Sequence, residues 1–273
     1  MPCLGDIQSC CALTAQCTGH AQLQRAPVNE IVRLEMVAVT EHYAKHLAPI
    51  YLWMVGGIEI ALRSGKADLA TLIPGSGLAI DLGAGFGMHS IPLAQAGYQV
   101  ISIDQSRLLL SALQDHSRTL PIRTIEANLL DLRTLVPEQA DLIICMGDTL
   151  THLETFEQVK VLFESVAESL SENGRFVATF RDYSTAAVGE SRFIPVRSDP
   201  NRIMTCFLEE EPRHINVHDI VHELHKEQWQ MRISSYRKLR IAPSAVEEML
   251  RSLKMNVQVE EGPRGMIRIE ANA

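Results

Sequence analysis

The residues most able to do chemistry lie within one short stretch, Asp81-Leu82-Gly83-Ala84-Gly85-Phe86-Gly87, with a second acid, Asp104, further along. An apolar run at 78–82 leads into the glycines, and a second at 98–103 ends on Asp104. Glycine reaches backbone conformations closed to other residues and lets a ligand approach the main chain. Unpaired N–H groups at a helix start favour electron-rich ligand groups. An acid about twenty residues on, at the end of the next strand, can accept hydrogen bonds from ribose hydroxyls. These residues therefore read as a nucleoside site at the carboxyl ends of parallel strands.

The dinucleotide fingerprint is G-x-G-x-x-G/A. Here the spacing is G-x-G-x-G, and Met88 stands where the third small residue would be. A diphosphate also gains nothing from an anion such as Asp81 at the mouth of the turn. The D-x-G-x-G-x-G pattern instead resembles motif I of class I S-adenosylmethionine-dependent methyltransferases. That resemblance implies S-adenosyl-L-methionine as cofactor. Asp81 would help orient its methionine end, partly through bound water, and Asp104 would hold its ribose. It extends the expected cofactor set to Gly83, Ala84, Gly85, Gly87, Gln105 and Met146. A bare strand–helix turn and a nicotinamide-dependent oxidoreductase remain the alternatives at this point.

A second resemblance lies after the fourth apolar run. Ile143-Ile144-Cys145-Met146-Gly147-Asp148-Thr149-Leu150-Thr151-His152-Leu153 is similar to the corresponding motif of glycine and sarcosine N-methyltransferases. Glu126-Ala127-Asn128-Leu129-Leu130 resembles their adenine-contacting segment, so Asn128 would bond the adenine edge and Leu129 pack on its face. Phe180-Arg181-Asp182-Tyr183 resembles their His-Arg-Asn-Tyr, and Arg232-Ile233-Ser234-Ser235-Tyr236 lies where they have a strand ending in tyrosines. The resemblance implies a small-molecule methyl acceptor, an amine or amino-acid-like compound. Arg181 would hold an acceptor carboxylate, since a guanidinium matches carboxylate geometry. Tyr183 and Tyr236 would line the acceptor pocket. His152 would orient the loop or take a proton from an ammonium. Asp148 departs from the pattern, which has asparagine there; an added anion disfavours a carboxylate and favours an amine or other cation. That departure also leaves open a regulatory protein that binds the cofactor without turning over.

The chain has 273 residues, 46% hydrophobic and 21% charged, with a formal net charge of −8. The charge argues against nucleic acid as a partner. No apolar run approaches the roughly 20 residues that cross a bilayer, so no membrane partner is expected. With no secretory pattern at the start and six cysteines without C-x-x-C spacing, a cytoplasmic protein with reduced thiols and no metal is expected. Of His214, His218, His222 and His225, the first three share a face on a strand; on a helix His218, His222 and His225 would converge, which could suit a metal, but Ile220 and Val221 favour the strand. The sequence leaves the oligomeric state open.

Stepwise alternation of apolar runs and helical patterns makes the chain α/β. The expected architecture is a doubly wound, Rossmann-like, seven-stranded methyltransferase sheet with an antiparallel β insertion after strand five. Helices are expected at 28–47, 58–72, 88–96, 105–116, 153–170 and 242–253. Core strands are expected at 78–82, 98–103, 121–126, 141–146, 175–180, 257–260 and 266–269. Residues 203–208, 214–224 and 229–239 read as strands without intervening helices. The chain thus divides into a flexible extension (1–27), a helical segment that can act as a lid with Tyr43 or Tyr51 inward (28–74), a cofactor-binding core (75–184 and 242–273) and a flap (185–241).

Overall fold

The two apolar residue sets of the central strands alternate along the chain, and each set buries against its own layer of helices. The computed structural model describes residues 36–272. The expected 1–27 extension and the first part of the 28–47 helix lie outside these residues. Seven strands form one sheet: β1 (Gly77–Leu82), β2 (Tyr98–Asp104), β3 (Ile122–Glu126), β4 (Ala140–Cys145), β5 (Leu170–Phe180), β10 (Asn256–Glu261) and β11 (Ile267–Asn272). Their order is β10-β11-β5-β4-β1-β2-β3. β3, β2, β1, β4 and β5 run parallel, and β11 is antiparallel to both β5 and β10.

On one face Ile80, Leu82, Ile143 and Phe176 meet Val159, Phe163 and Val166 of the Phe156–Ser169 helix, and Val246 and Leu250 of the Pro243–Ser252 helix. On the other, Ala79, Val100, Leu142 and Ile144 meet Leu69, Leu72, Leu93 and Ala94. Sheet strands covered on both faces read as unbroken apolar runs for this reason.

A second, antiparallel sheet holds β6 (Phe193–Ser198), β7 (Arg202–Glu210), β8 (His214–His225) and β9 (Gln228–Leu239), in that order. β6 was not expected. Pro195 conceals it in the sequence, and it is tolerated because β6 is an edge strand whose register shifts between Pro195 and Arg197. β5 also starts earlier than expected. Gly174 passes so close to the Ala140 carbonyl that a Cβ would stand 2.8 Å from it, and the pairing with β4 shifts register there.

The expected helix ending near residue 47 is broken into short pieces: an α-turn at Val39–His42, a π-turn at Tyr43–Leu47, a 3₁₀ turn at Ala48–Ile50 and an α-turn at Tyr51–Met54. Pro49 has no N–H to continue the ladder. Met36 bridges Ser235 at the free edge of β9, so this segment enters alongside the second sheet.

Candidate active site

A cleft of about 910 Å³ opens where the parallel strands end at their carboxyl termini. Gly83, Ala84, Gly85, Asp104, Gln105, Asn128, Leu129 and Met146 all line it. Asp104 is the centre of the arrangement. Its Oδ2 accepts the Gly85 N–H at 2.8 Å, and its Oδ1 accepts the Ser106 N–H at 2.7 Å. Burial pushes its pKa up, against the pull of those amides. Each oxygen keeps a lone pair for a further donor. Gly85 has φ +54, and a Cβ there would meet only a Leu109 methyl, at 3.9 Å; its main chain is open to the cleft. Asn128 uses its Oδ1 to cap the next turn, accepting from Leu130 N–H at 3.0 Å.

Two expected cofactor residues do not line the cleft. Asp81 is sealed beneath the turn, 1% exposed, and accepts from Ser90 Oγ at 2.6 Å. Alternation places it on the face opposite Ile80 and Leu82, against the following helix. Burial raises its pKa, with His89 and Ser90 opposing. Gly87 serves packing: a Cβ there would stand 2.3 Å from Leu113 Cδ1.

Beyond Met146 the lining continues through Gly147, Thr149 and His152, with Tyr43 and Tyr51 from the N-terminal segment opposite. Behind this wall lies a buried polar cluster. Asp148, in the left-handed conformation at φ +86, is 4% exposed. Its Oδ1 accepts from Arg181 N–H at 2.9 Å and Thr151 Oγ at 3.1 Å. Its Oδ2 accepts from the Tyr183 hydroxyl at 3.1 Å and from the Lys238 ammonium. Burial pushes the Asp148 carboxyl up, but Lys238 and the Arg181 N–H outweigh it and hold the pKa below the usual range. Burial likewise opposes the Lys238 charge, and Asp148 more than restores it.

This arrangement corrects the expectation drawn from Asp148 alone. The carboxylate offers no free charge to a cationic acceptor, because it lies behind the cleft lining and Lys238, the Arg181 N–H and the Tyr183 hydroxyl already occupy it. Arg181 contributes its main chain, while its side chain is exposed and does not line the cleft. Tyr183 is buried against Asp148. Tyr236, 4% exposed, stacks on His42 at 4.1 Å between ring centroids and lies 5.7 Å from the His152 ring.

His152 Nε2 faces the Tyr43 hydroxyl at 3.3 Å, and its Nδ1 is buried without a partner among the described residues. Burial and then the Lys238 charge lower its pKa to about 3, so the ring is neutral at physiological pH. His42 joins this group from the other side. Its Nε2 lies 3.0 Å from Asp219 Oδ2 and its Nδ1 2.8 Å from Ser234 Oγ, while Cys206 Sγ donates to Asp219 Oδ1 at 2.7 Å. Of the β8 histidines, His218 meets Ser235 Oγ at 2.7 Å, and β8 is a strand.

Lys238, His42 and Asp219 were not singled out from sequence. Lys238 carried one available signal: on a strand it shares a face with Tyr236, two residues before it.

Residues 79–174 match the family model described as a methyltransferase domain. With the strand order above, this region is a class I S-adenosylmethionine-dependent methyltransferase domain, and the cofactor of that class is S-adenosyl-L-methionine. The glycine/sarcosine N-methyltransferase of Aphanothece halophytica is 30% identical over 111 residues, covering 40% of this chain and 42% of that protein. Its counterpart from Parasynechococcus marenigrum is 31% identical over 120 residues, 43% of this chain and 42% of that protein. The chain thus spans less than half the length of these curated relatives. Among solved structures, Streptomyces venezuelae DesVI aligns with a TM-score of 0.67 at 18% identity, over 82% of this chain and 97% of that one. The sugar N-methyltransferase KedS8 from Streptoalloteichus aligns at 0.61 and 12%, over 93% and 100%. At such identities the structural likeness speaks for the fold. Among the described residues, no helix is long and apolar enough to cross a membrane.

Proposed function

We propose that this chain transfers a methyl group from S-adenosyl-L-methionine to the nitrogen of a small-molecule amine. One observation carries the reading: a single cleft joins the Gly85–Asp104 turn to a chamber walled by Tyr43, Tyr51 and neutral His152. The residues fit the cofactor. Asp104 has lone pairs to spare for ribose hydroxyls, Leu129 offers an apolar surface for adenine, with Asn128 at its edge, and Met146 and Gly147 border the far end. The choice of nitrogen draws support from the relatives, whose names describe N-methylation of glycine and sarcosine.

Bound S-adenosyl-L-methionine supplies an electrophilic methyl on its sulfonium. The chain's part is to align the acceptor and keep water out, and alignment can lower such a barrier by about 7–11 kcal/mol. Within the 28–74 segment, the described residues 36–74 act as the lid, 185–241 as the flap on the acceptor side, and 75–184 with 242–273 as the core. An ammonium acceptor must lose a proton before attack. Burial and Lys238 hold the His152 pKa at about 3, so its ring is not the receiver of that proton; it positions the Tyr43 hydroxyl, and the acceptor enters as the free amine. Transfer of labelled methyl from the cofactor to a panel of amines tests the reading. Labelled product supports it; tight binding of S-adenosylhomocysteine with no product across amine classes overturns the catalytic part.

A further inference from the structure

Asp148 and Lys238 together fix which charge the acceptor can bring, and this inference rests on the methyltransferase reading above. Asp148 directly follows Gly147, and Gly147, Thr149 and His152 all line the cleft. A carboxylate offers about four lone-pair positions. Asp148 fills three with Arg181 N–H, Tyr183 Oη and Lys238 Nζ, and Thr151 Oγ, which donates to the Asp148 carbonyl at 2.8 Å, covers the fourth at 3.1 Å. An acceptor ammonium finds no vacancy on it.

Lys238 is spent in the same way. Its side chain is 10% exposed and its charge is balanced by Asp148, whose side chain is 6% exposed. Its ammonium has three donors, and Asp148 is its hydrogen-bond partner among the described residues; the rings of Tyr183 and Tyr236 flank it at 5.8 and 5.9 Å. Lys238 itself lies behind the lining and not in it, and the charge needed to hold an anion there is already neutralised by Asp148.

Among the described residues, no other cation makes up the deficit. Of the basic side chains that line the cleft, Arg107 is paired with Glu126 at 2.7 Å, His89 lies 3.1 Å from Asp68, and His152 carries no charge. Arg181 is exposed and outside the lining. Asp104 and Glu154 meanwhile line the cleft with negative charge. An acceptor carboxylate would lose water and face like charges, which disfavours it.

We propose that the buried Asp148–Lys238 pair selects amines whose neighbouring oxygens are neutral (hydroxyl, ether or amide) and rejects those carrying a free carboxylate. The matched probes are glycine and glycinamide, which differ only in that group. Each is titrated into protein saturated with S-adenosylhomocysteine. Glycinamide binds at least about tenfold tighter than glycine, about 1.4 kcal/mol. Asp148→Asn releases the Lys238 charge and closes that gap by tightening glycine; adding Lys238→Met to it restores the gap. Equal or tighter binding of glycine to the unaltered protein overturns the proposal, as does binding of neither probe. So does an unchanged ratio in Asp148→Asn. Should that variant not fold, the two titrations of the unaltered protein decide alone. Binding of S-adenosylhomocysteine is measured first: its absence sinks the cofactor reading, whereas the probe ratio addresses only the acceptor.

Discussion

The two ends of the cleft handle charge by different means. At the cofactor end, Asp104 is stabilised by main-chain amides from residues 19 positions before it and 2 after it. Its carboxylate keeps unused lone pairs and faces the cleft. At the acceptor end, Asp148 is held by side chains and a main-chain amide drawn from three separate elements, and nothing of its charge is left over. A carboxylate served by backbone N–H groups remains a ligand, because amides carry no net charge to cancel it. A carboxylate served by a buried lysine becomes part of the wall. On the reading proposed above, the same residue type would bind at one end and exclude at the other.

The sharpest way to break this contrast is to remove the lysine. Lys238→Met leaves Asp148 buried with an uncompensated charge and destabilises the fold by about 3–5 kcal/mol. Asp148→Asn combined with Lys238→Met recovers most of that loss, since a neutral pair demands no charge balance. Urea unfolding of the single and double variants measures both. If the single variant loses less than about 1 kcal/mol, Asp148 is not the sealed group described here.

At the cofactor end the corresponding change acts on binding. Asp104→Asn weakens S-adenosylhomocysteine by about 1.5–3 kcal/mol, the range for hydrogen bonds to a charged group. Calorimetry reads it directly. Arg181→Ala, by contrast, alters neither cofactor affinity nor stability by more than about 0.5 kcal/mol, as expected of an exposed side chain away from such features. An unchanged affinity in Asp104→Asn would remove the ribose from that carboxylate.

The contrast also explains which parts were legible in the sequence. The cofactor end is built within a short span, and its alternating apolar strands, glycines and acids announce themselves. Asp81 is the exception. Its place in the motif marked it as a ligand group, but the strand's alternation turns it to the helix side, under Ser90. The acceptor end joins residues 90 apart for Asp148 and Lys238, 109 for Tyr43 and His152, and 177 for His42 and Asp219. No local period encodes such pairings. Read without Lys238, Asp148 pointed toward a cation; the lysine that reverses the conclusion lies on β9, beyond any motif. The broken helix around Tyr43 was hidden for a similar reason. Its π and 3₁₀ turns answer to Pro49 and to packing on the second sheet, and not to a helical stripe.

A third buried polar group sharpens the contrast through pH, with the smallest effect. His46, 6% exposed, accepts from Arg232 Nη1 through Nδ1 at 2.8 Å, and its carbonyl accepts from the same nitrogen at 2.9 Å. Burial, then the Arg232 charge, lower its pKa to about 4 from 6.5; His42 also disfavours the charged ring, and Asp219 partly offsets it. The folded protein therefore needs His46 neutral. Its contribution is complete above pH 6.5 and is lost as the pH falls toward 4, because only the unfolded chain takes up the proton. The loss is at most about 1.4 kcal/mol per pH unit across that window. His46→Asn keeps an oxygen to accept from Arg232 but cannot titrate, so its unfolding free energy should fall less steeply with acid than that of the unaltered protein. Parallel slopes between pH 6.5 and 4 would show that His46 is free to protonate in place, and that the segment carrying Tyr43 is held by something other than this histidine.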